Sequence, residues 1–171
     1  MKKGILLLVA MMATALAFAA PVGRERAAKV AEHAVVRFCA ELHGITPTGE
    51  AVELTEAPSV VDAGILHVFN YRYSGVEGFI IVSGDDCCDP VLAFSDAGVT
   101  ELASNPAFMQ HVKHYGKEIL LAREAKATAP ADIARRWQRY EEEVIPGKGD
   151  FYSDLINRRS EERRVGKECR S

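Results

Sequence analysis

Apolar residues recur at spacings of three and four along three stretches of the chain, which is the pattern of amphipathic helices. The first stretch covers residues 24–43 and is followed by Gly44, a common residue at helix C-termini. The second begins at Asn105, which can cap a helix, and Pro106, which suits the first helical position. The third covers residues 130–144. The pattern therefore predicts three helices.

Shorter stretches between the first and second helices have the composition of β-strands. Residues 51–57 alternate apolar and charged side chains, and residues 64–73, 79–83 and 90–95 are rich in β-branched and aromatic side chains. Residues 74–78 contain two glycines and predict a turn, and short connections of this kind favour antiparallel hairpins. The sequence thus predicts an α+β fold, an antiparallel sheet of about four strands covered by helices on one side.

The beginning of the sequence has the pattern of a secretory signal peptide. Lys2 and Lys3 precede a short apolar run, which ends in small residues. We expect residues 1–19 to be the signal peptide, with cleavage after Ala19 that leaves Ala20 first; an uncleaved anchor is the alternative. The protein is then expected to be secreted, periplasmic or at the cell surface, without a membrane attachment after cleavage.

The last residues differ from the body in another way. Residues 159–171 lack apolar periodicity and resemble the translation of a short-read sequencing adapter, although a genuine charged tail is the alternative. We expect the natural protein to continue past Arg158.

Charge and length limit the class of partner. The chain has 21 Lys and Arg against 24 Asp and Glu, a net charge of −3, and both ends are basic, so the body between them is more acidic. A nucleic-acid partner would require a basic face, and none is expected here. A body of this length supports one domain.

Two adjacent cysteines follow two aspartates, and they are the first candidates for chemistry. Nearby negative charge raises the pKa of a thiol, whereas catalysis needs a thiolate with a base beside it. No Gly-x-Cys motif or helix start accompanies Cys87 and Cys88. We therefore predict that they lie in a connecting turn and that the chain has no catalytic residue.

Cys39 and His43 are four residues apart on the first helix and could join the cysteine pair at a zinc ion. No Cys-x-x-Cys pair supports such a site, and adjacent cysteines rarely bind one metal together. A disulfide from Cys39 to Cys87 or Cys88 is a further alternative in an oxidising compartment. The favoured interpretation is a buried Cys39, with no metal and no cofactor.

Histidines and aromatic residues give weaker signals. His111 and His114 flank the apolar stripe of the second helix, and we expect both to be solvated boundary residues. Phe69, Tyr71 and Tyr73 share one strand face, which is either core or the partner surface of an adhesion or ligand-binding module.

Four motifs resemble a known family. They are the "VFN" strand, the "GFIIVSGDD" strand and turn, "PVLAFSDAG", and the helix that ends in "YGKEI". Together, over about residues 26–123, they resemble the inhibitory prosegment of streptopain-family cysteine proteases, which also occurs as a free-standing Spi-type protease inhibitor domain. The resemblance implies an inhibitory domain over residues 24–125 and a helical linker over residues 126–158 toward a missing protease domain.

The resemblance also implies a function and a partner. Such domains cover the cleft of a papain-like cysteine protease domain, joined to it in cis or supplied in trans as a free inhibitor. The catalytic Cys and His of the family belong to the protease domain, so this chain is expected to have no peptidase activity.

The resemblance further implies a loop that enters the cleft. It corresponds to residues 97–108, and the expected partner-binding residues are Thr100, Glu101, Leu102, Ala103, Ser104 and Asn105. The asparagine that the family presents to the pocket lies slightly nearer the strand than Asn105, which could instead serve only as a helix cap.

Overall fold

The computed structural model describes residues 20–47, 49–58, 61–62, 64–98 and 106–142. Its helices are α1 (Arg24–His43), α2 (Pro106–Glu124) and α3 (Ala131–Glu141). Its strands are β1 (Glu53–Glu56), β2 (Leu66–Tyr73), β3 (Val76–Ser83) and β4 (Val91–Ser95). The predicted signal peptide, the expected cleft residues 100–105 and the predicted tail lie outside the described residues. Among the residues described, no helix is long and apolar enough to span a membrane.

The four strands form one antiparallel sheet in the order β1-β2-β3-β4. Each strand pairs with its neighbour in sequence, as a meander of hairpins requires. The predicted α+β fold is confirmed, and α1 covers the residues predicted for the first helix.

The hairpin between β2 and β3 has a tighter turn than the sequence suggested. Ser74 and Gly75 have φ angles of 47° and 80°, as in a two-residue turn whose twist matches that of the strands. The strand β3 therefore begins at Val76, and the prediction of a turn over residues 74–78 is wrong. Gly78 lies within the strand, where a Cβ would overlap the carbonyl oxygen of Ser95 and press on the ring of Tyr71.

Helices α1 and α3 cover one face of the sheet. Alternate residues of β2 and β3 on this face are buried with the apolar stripe of α1 and with Trp137 of α3. The strand residues in this cluster are Phe69, Tyr71, Tyr73, Ile80 and Val82.

Helix α2 covers the opposite face. Val112 and Ile119 of α2 are buried with Leu66, Val68 and Ile81 of the sheet. The expectation that all helices lie on one side is therefore wrong. The first four residues of β2 are all buried, because this strand has a packed layer on each face.

Helix α3 belongs to a segment that the sequence assigned to a linker, and it packs against α1. Trp137 is 2% exposed, and its indole N–H donates a hydrogen bond to the carbonyl oxygen of Cys88 (2.8 Å). The guanidinium of Arg26 lies 4.8 Å from the centre of the Trp137 ring. The described part of the segment thus contributes to the core, and its continuation toward a protease domain stays a prediction.

The Gly-Asp-Asp turn (residues 84–86) is held by one arginine of α2. Asp85 is fully buried, and its Oδ2 lies 2.9 Å from Nε of Arg123. The Nη2 group of Arg123 donates to the carbonyl oxygens of Gly64 (2.8 Å) and Gly84 (2.7 Å). The N–H of Cys87 donates to the other carboxylate oxygen of Asp85 (3.2 Å). One guanidinium therefore joins the end of α2 to the start of β2 and the end of β3.

Replacing Arg123 by Met should lower the free energy of unfolding by about 3 kcal/mol, because the buried Asp85 carboxylate loses its charged partner. This value is the lower end of the stability loss expected when a buried ion pair is broken, since the Arg123 side chain is 29% exposed. The matched control is Arg135→Met on the exposed surface of α3, which should change stability by less than about 0.5 kcal/mol. Urea denaturation measures the free energy of unfolding of both variants. Equal decreases in the two variants would contradict the role assigned to Arg123.

Replacing Gly78 by Ala should cost about 2 kcal/mol, because β3 and β4 must separate to admit the methyl group. Glu77→Ala on the same strand is the control. Its side chain is 49% exposed in an ion pair with Arg72, so its loss should cost no more than about 1 kcal/mol. Thermal denaturation of both variants checks the prediction. If Gly78→Ala is as stable as the wild type, the prediction is wrong.

Candidate functional site

The expected cleft loop connects β4 to α2, and the structure describes both of its ends. The strand β4 is an edge strand of the sheet and ends at Ser95. The N–H of Ala97 donates to the Ser95 hydroxyl (3.3 Å), and Gly98 follows with a φ of 74°, a conformation that favours glycine. The chain returns at Pro106, the first residue of α2. The loop therefore extends from the edge of the sheet to the helix on one of its faces.

A partly buried aromatic residue anchors the outgoing end. The ring of Phe94, next to the end of β4, lies 4.6 Å from the ring of Phe38 on α1 and 5.5 Å from that of Tyr71 on β2. His43, the last residue of α1, contacts Asp96 directly after the strand (3.0 Å). Both contacts fix the outgoing end against the face covered by α1.

A second aromatic residue anchors the returning end on the opposite face. Phe108, in the first turn of α2, packs edge to face against Phe79 of β3 with ring centres 5.2 Å apart. Val112, one turn later, is fully buried. The two ends of the loop are therefore held by different layers of the fold.

The cysteine pair lies in the turn after β3, as predicted. Burial, followed by the contact with Asp85, raises the pKa of the Cys87 thiol, and burial raises the pKa of Cys88 as well. Their sulfur atoms are 3.7 Å apart. Both thiols are protonated at neutral pH, so neither is suited to act as a nucleophile.

Cys39 is buried, as the favoured interpretation expected. Burial raises the pKa of its thiol to about 11. Cys39, Cys87 and Cys88 are all free thiols, so the disulfide alternative is wrong. His43, the other half of the considered zinc pair, contacts Asp96 at the surface. No group of three or more metal-binding side chains occurs within the residues that the structure describes.

The remaining candidates divide between surface and core. His111 and His114 are exposed, as expected for solvated boundary residues. Phe69, Tyr71 and Tyr73 are each no more than 2% exposed, because α1 covers their face of the sheet. The aromatic face is core, which was one of the two interpretations, and the alternative of a partner surface built on it is wrong.

Sequence reasoning missed the residues that hold the loop ends. Phe94 and Phe108 are both visible in the sequence as large aromatic residues beside the loop. Their assignment to opposite faces requires the strand register and the side of the sheet on which α2 packs. His43 and Asp96 are far apart in the sequence, and no local pattern relates them.

Comparison with known proteins identifies a family for most of the described residues. The family model described as Spi protease inhibitor matches residues 19–119, a range that includes α1, the whole sheet, the expected cleft loop and most of α2. No curated protein and no solved structure was found to match the chain. The match covers more than half of the chain, and the chain therefore belongs to the Spi protease inhibitor family, whose domain is protease-inhibitory.

Proposed function

We propose that the chain is the exported inhibitory prosegment of a streptopain-like cysteine protease, and that residues 100–105 occupy the active-site cleft of that enzyme. One observation carries the proposal. The loop that the family resemblance assigns to the cleft leaves and re-enters the fold at two ends, which Phe94 and Phe108 anchor on opposite faces of one sheet.

Anchoring at both ends has an energetic consequence. A segment that must be ordered when it binds loses conformational entropy, and a segment held close to its bound position loses less. Residues 99–105 are the whole connection between Gly98, after the edge strand, and Pro106, at the start of α2. Such a loop can enter a cleft at a low entropic cost.

The proposed mechanism is steric and needs no reaction by this chain. The loop excludes substrate from the cleft, and it holds the protease inactive until the connection between prosegment and enzyme is cut. The raised thiol pKa of Cys87 agrees with a passive role, because the nucleophile of the system would belong to the partner. A free inhibitor acting in trans would use the same surface.

Inhibition in trans tests the proposal directly. The chain from Ala20 onward is added to a purified streptopain-like cysteine protease and, in parallel, to a trypsin-like serine protease. We expect dose-dependent, reversible inhibition of the cysteine protease alone. Inhibition of neither enzyme, or of the serine protease only, would overturn the proposed partner class.

Alanine replacement of the first half of the loop should weaken inhibition by at least roughly tenfold, because buried contacts of a few residues dominate binding. The variant changes Thr100, Glu101 and Leu102 together. A triple alanine variant of three exposed residues of α1 is the matched control and should inhibit like the wild type; the residues are Glu25, Lys29 and Glu32. The measured quantity is the inhibition constant, and equal values for both variants would exclude insertion of this half of the loop.

The role of Asn105 is separated by two substitutions. Asn105→Ser keeps a side chain that can cap α2 but removes the amide, whereas Asn105→Ala removes both. If the amide binds the enzyme pocket, both variants lose inhibition and only Asn105→Ala loses stability, by about 1 kcal/mol. If Asn105 acts only as a cap, Asn105→Ser inhibits like the wild type. Inhibition constants and thermal denaturation distinguish the two results.

The gene itself decides between prosegment and free inhibitor. Genomic DNA is sequenced past the codon for Arg158. A continuous frame encoding a domain with a catalytic Cys and His supports the prosegment, and a stop codon supports the free inhibitor.

A further inference from the structure

The segment that directly follows the predicted signal peptide is built into the fold. Pro21 forms an antiparallel bridge with Asp85. The N–H of Val22 donates to the carbonyl oxygen of Gly84 (2.8 Å), and the Val22 side chain is 2% exposed in the core. The chain is thus held against the Gly-Asp-Asp turn from the first described residues onward.

Ala20 lies at the end of this bridge, beside a carboxylate. Its backbone nitrogen donates to Oδ1 of Asp86 (2.7 Å), and the N–H of Asp86 donates back to the carbonyl oxygen of Ala20 (3.3 Å). The other carboxylate oxygen of Asp86 lies 3.2 Å from Nη1 of Arg26 on α1. Nε of Arg26 in turn lies 2.7 Å from Glu141 on α3.

Among the described residues, the side chains that form this cluster carry more negative than positive charge. The carboxylates of Asp86 and Glu141 share the single positive charge of Arg26. The neighbouring carboxylate of Asp85 is directed to Arg123 instead. One further positive charge next to Asp86 would make the cluster neutral, and the backbone nitrogen of Ala20 lies 2.7 Å from Oδ1 of Asp86.

We propose that the Asp86 carboxylate is the binding site for the α-ammonium group of Ala20, which forms when a signal peptidase cleaves after Ala19. The cleavage consumes one water molecule and leaves a carboxylate on Ala19 and, at neutral pH, an ammonium on Ala20. The inference rests on the export that forms part of the proposed function.

Cleavage would change the charge on the nitrogen of an existing contact and leave its partner, the Asp86 carboxylate, the same. A hydrogen bond from a neutral amide becomes a bond between two charged groups, and such bonds are shorter and stronger. The bridge of Ala20 with Asp86 is therefore tighter in the mature chain than in the precursor. Removal of the leader stabilises the turn that also positions Asp85 beneath Arg123.

Two forms of the protein separate the effect of the N-terminal charge on stability from the effect of the hydrogen bond. One begins at Ala20, and the other begins at Phe18; both are released from a removable fusion partner. The longer form keeps the N–H of Ala20 but moves the positive charge two residues away. At pH 6.5 we expect the form that begins at Ala20 to have a Tm higher by a few degrees.

The difference should depend on pH in one direction. Pairing with Asp86 raises the pKa of the folded amine above its ordinary value near 8, so the stabilisation is complete below that value. It is lost as the pH rises through the raised pKa of the folded state. We therefore expect the two forms to have the same Tm at about pH 10.

Substitutions assign the effect to Asp86. In Asp86→Asn the two forms should have equal Tm values at pH 6.5, whereas in Glu141→Gln the difference should persist, because Glu141 contacts only Arg26 in this cluster. The inference is wrong if the two forms of Asp86→Asn differ in Tm as much as the two wild-type forms do. It is also wrong if the two wild-type forms have the same Tm. If Asp86→Asn does not fold, the loss of the wild-type difference between pH 6.5 and 10 decides.

Two further measurements separate this inference from the proposed function. Terminal sequencing of the exported protein should give Ala20 first, and any other first residue contradicts the site. The form that begins at Phe18 should still inhibit the cysteine protease, because the cleft loop is unchanged. A failure of inhibition with an intact Tm difference would therefore refute the proposed function alone.

Discussion

The buried contact between Asp85 and Arg123 is the constraint on which the arrangement of the other elements depends. Asp85 is inaccessible to water, and an unpaired carboxylate there would be strongly unfavourable. The turn after β3 can therefore adopt its structure only when the end of α2 is in place. Arg123 also donates hydrogen bonds to the carbonyl oxygens of Gly64 and Gly84. The same guanidinium therefore fixes the start of β2 and the end of β3.

Helices on both faces follow from the composition of the central strands. A sheet with one solvated face needs only alternate apolar residues, whereas the first four residues of β2 are all buried. Helix α1 and helix α2 therefore cover opposite faces, and the two anchors of the expected cleft loop, Phe94 and Phe108, pack on opposite faces as well. The two described ends of the loop are held in different layers, so neither end can move without disturbing the packing on its own face.

Much of the fold was predictable from local patterns, and the failures share one physical cause. The bounds of α1 and the order of the strands follow from periodicity and short connections, which are local properties. The side on which α2 packs, and the burial of Tyr71 beneath α1, depend on which face of a strand meets which helix. The pairing of Asp85 with Arg123 joins residues that are distant in sequence, and each residue alone reads as an ordinary polar residue. Of the candidate site, the sequence predicted the inert cysteine turn but not the aromatic anchors.

The two adjacent aspartates of the turn hold two parts of the chain that are distant in sequence. Asp86 binds Ala20, the first described residue, and Asp85 binds Arg123 near the end of α2. Because the two residues are neighbours on one short turn, a displacement of the first segment changes the geometry available to the second contact. The contact of Asp85 with Arg123 in turn determines where α2, and with it the returning end of the loop, can lie. The first described residues and the end of α2 therefore both depend on this one short turn.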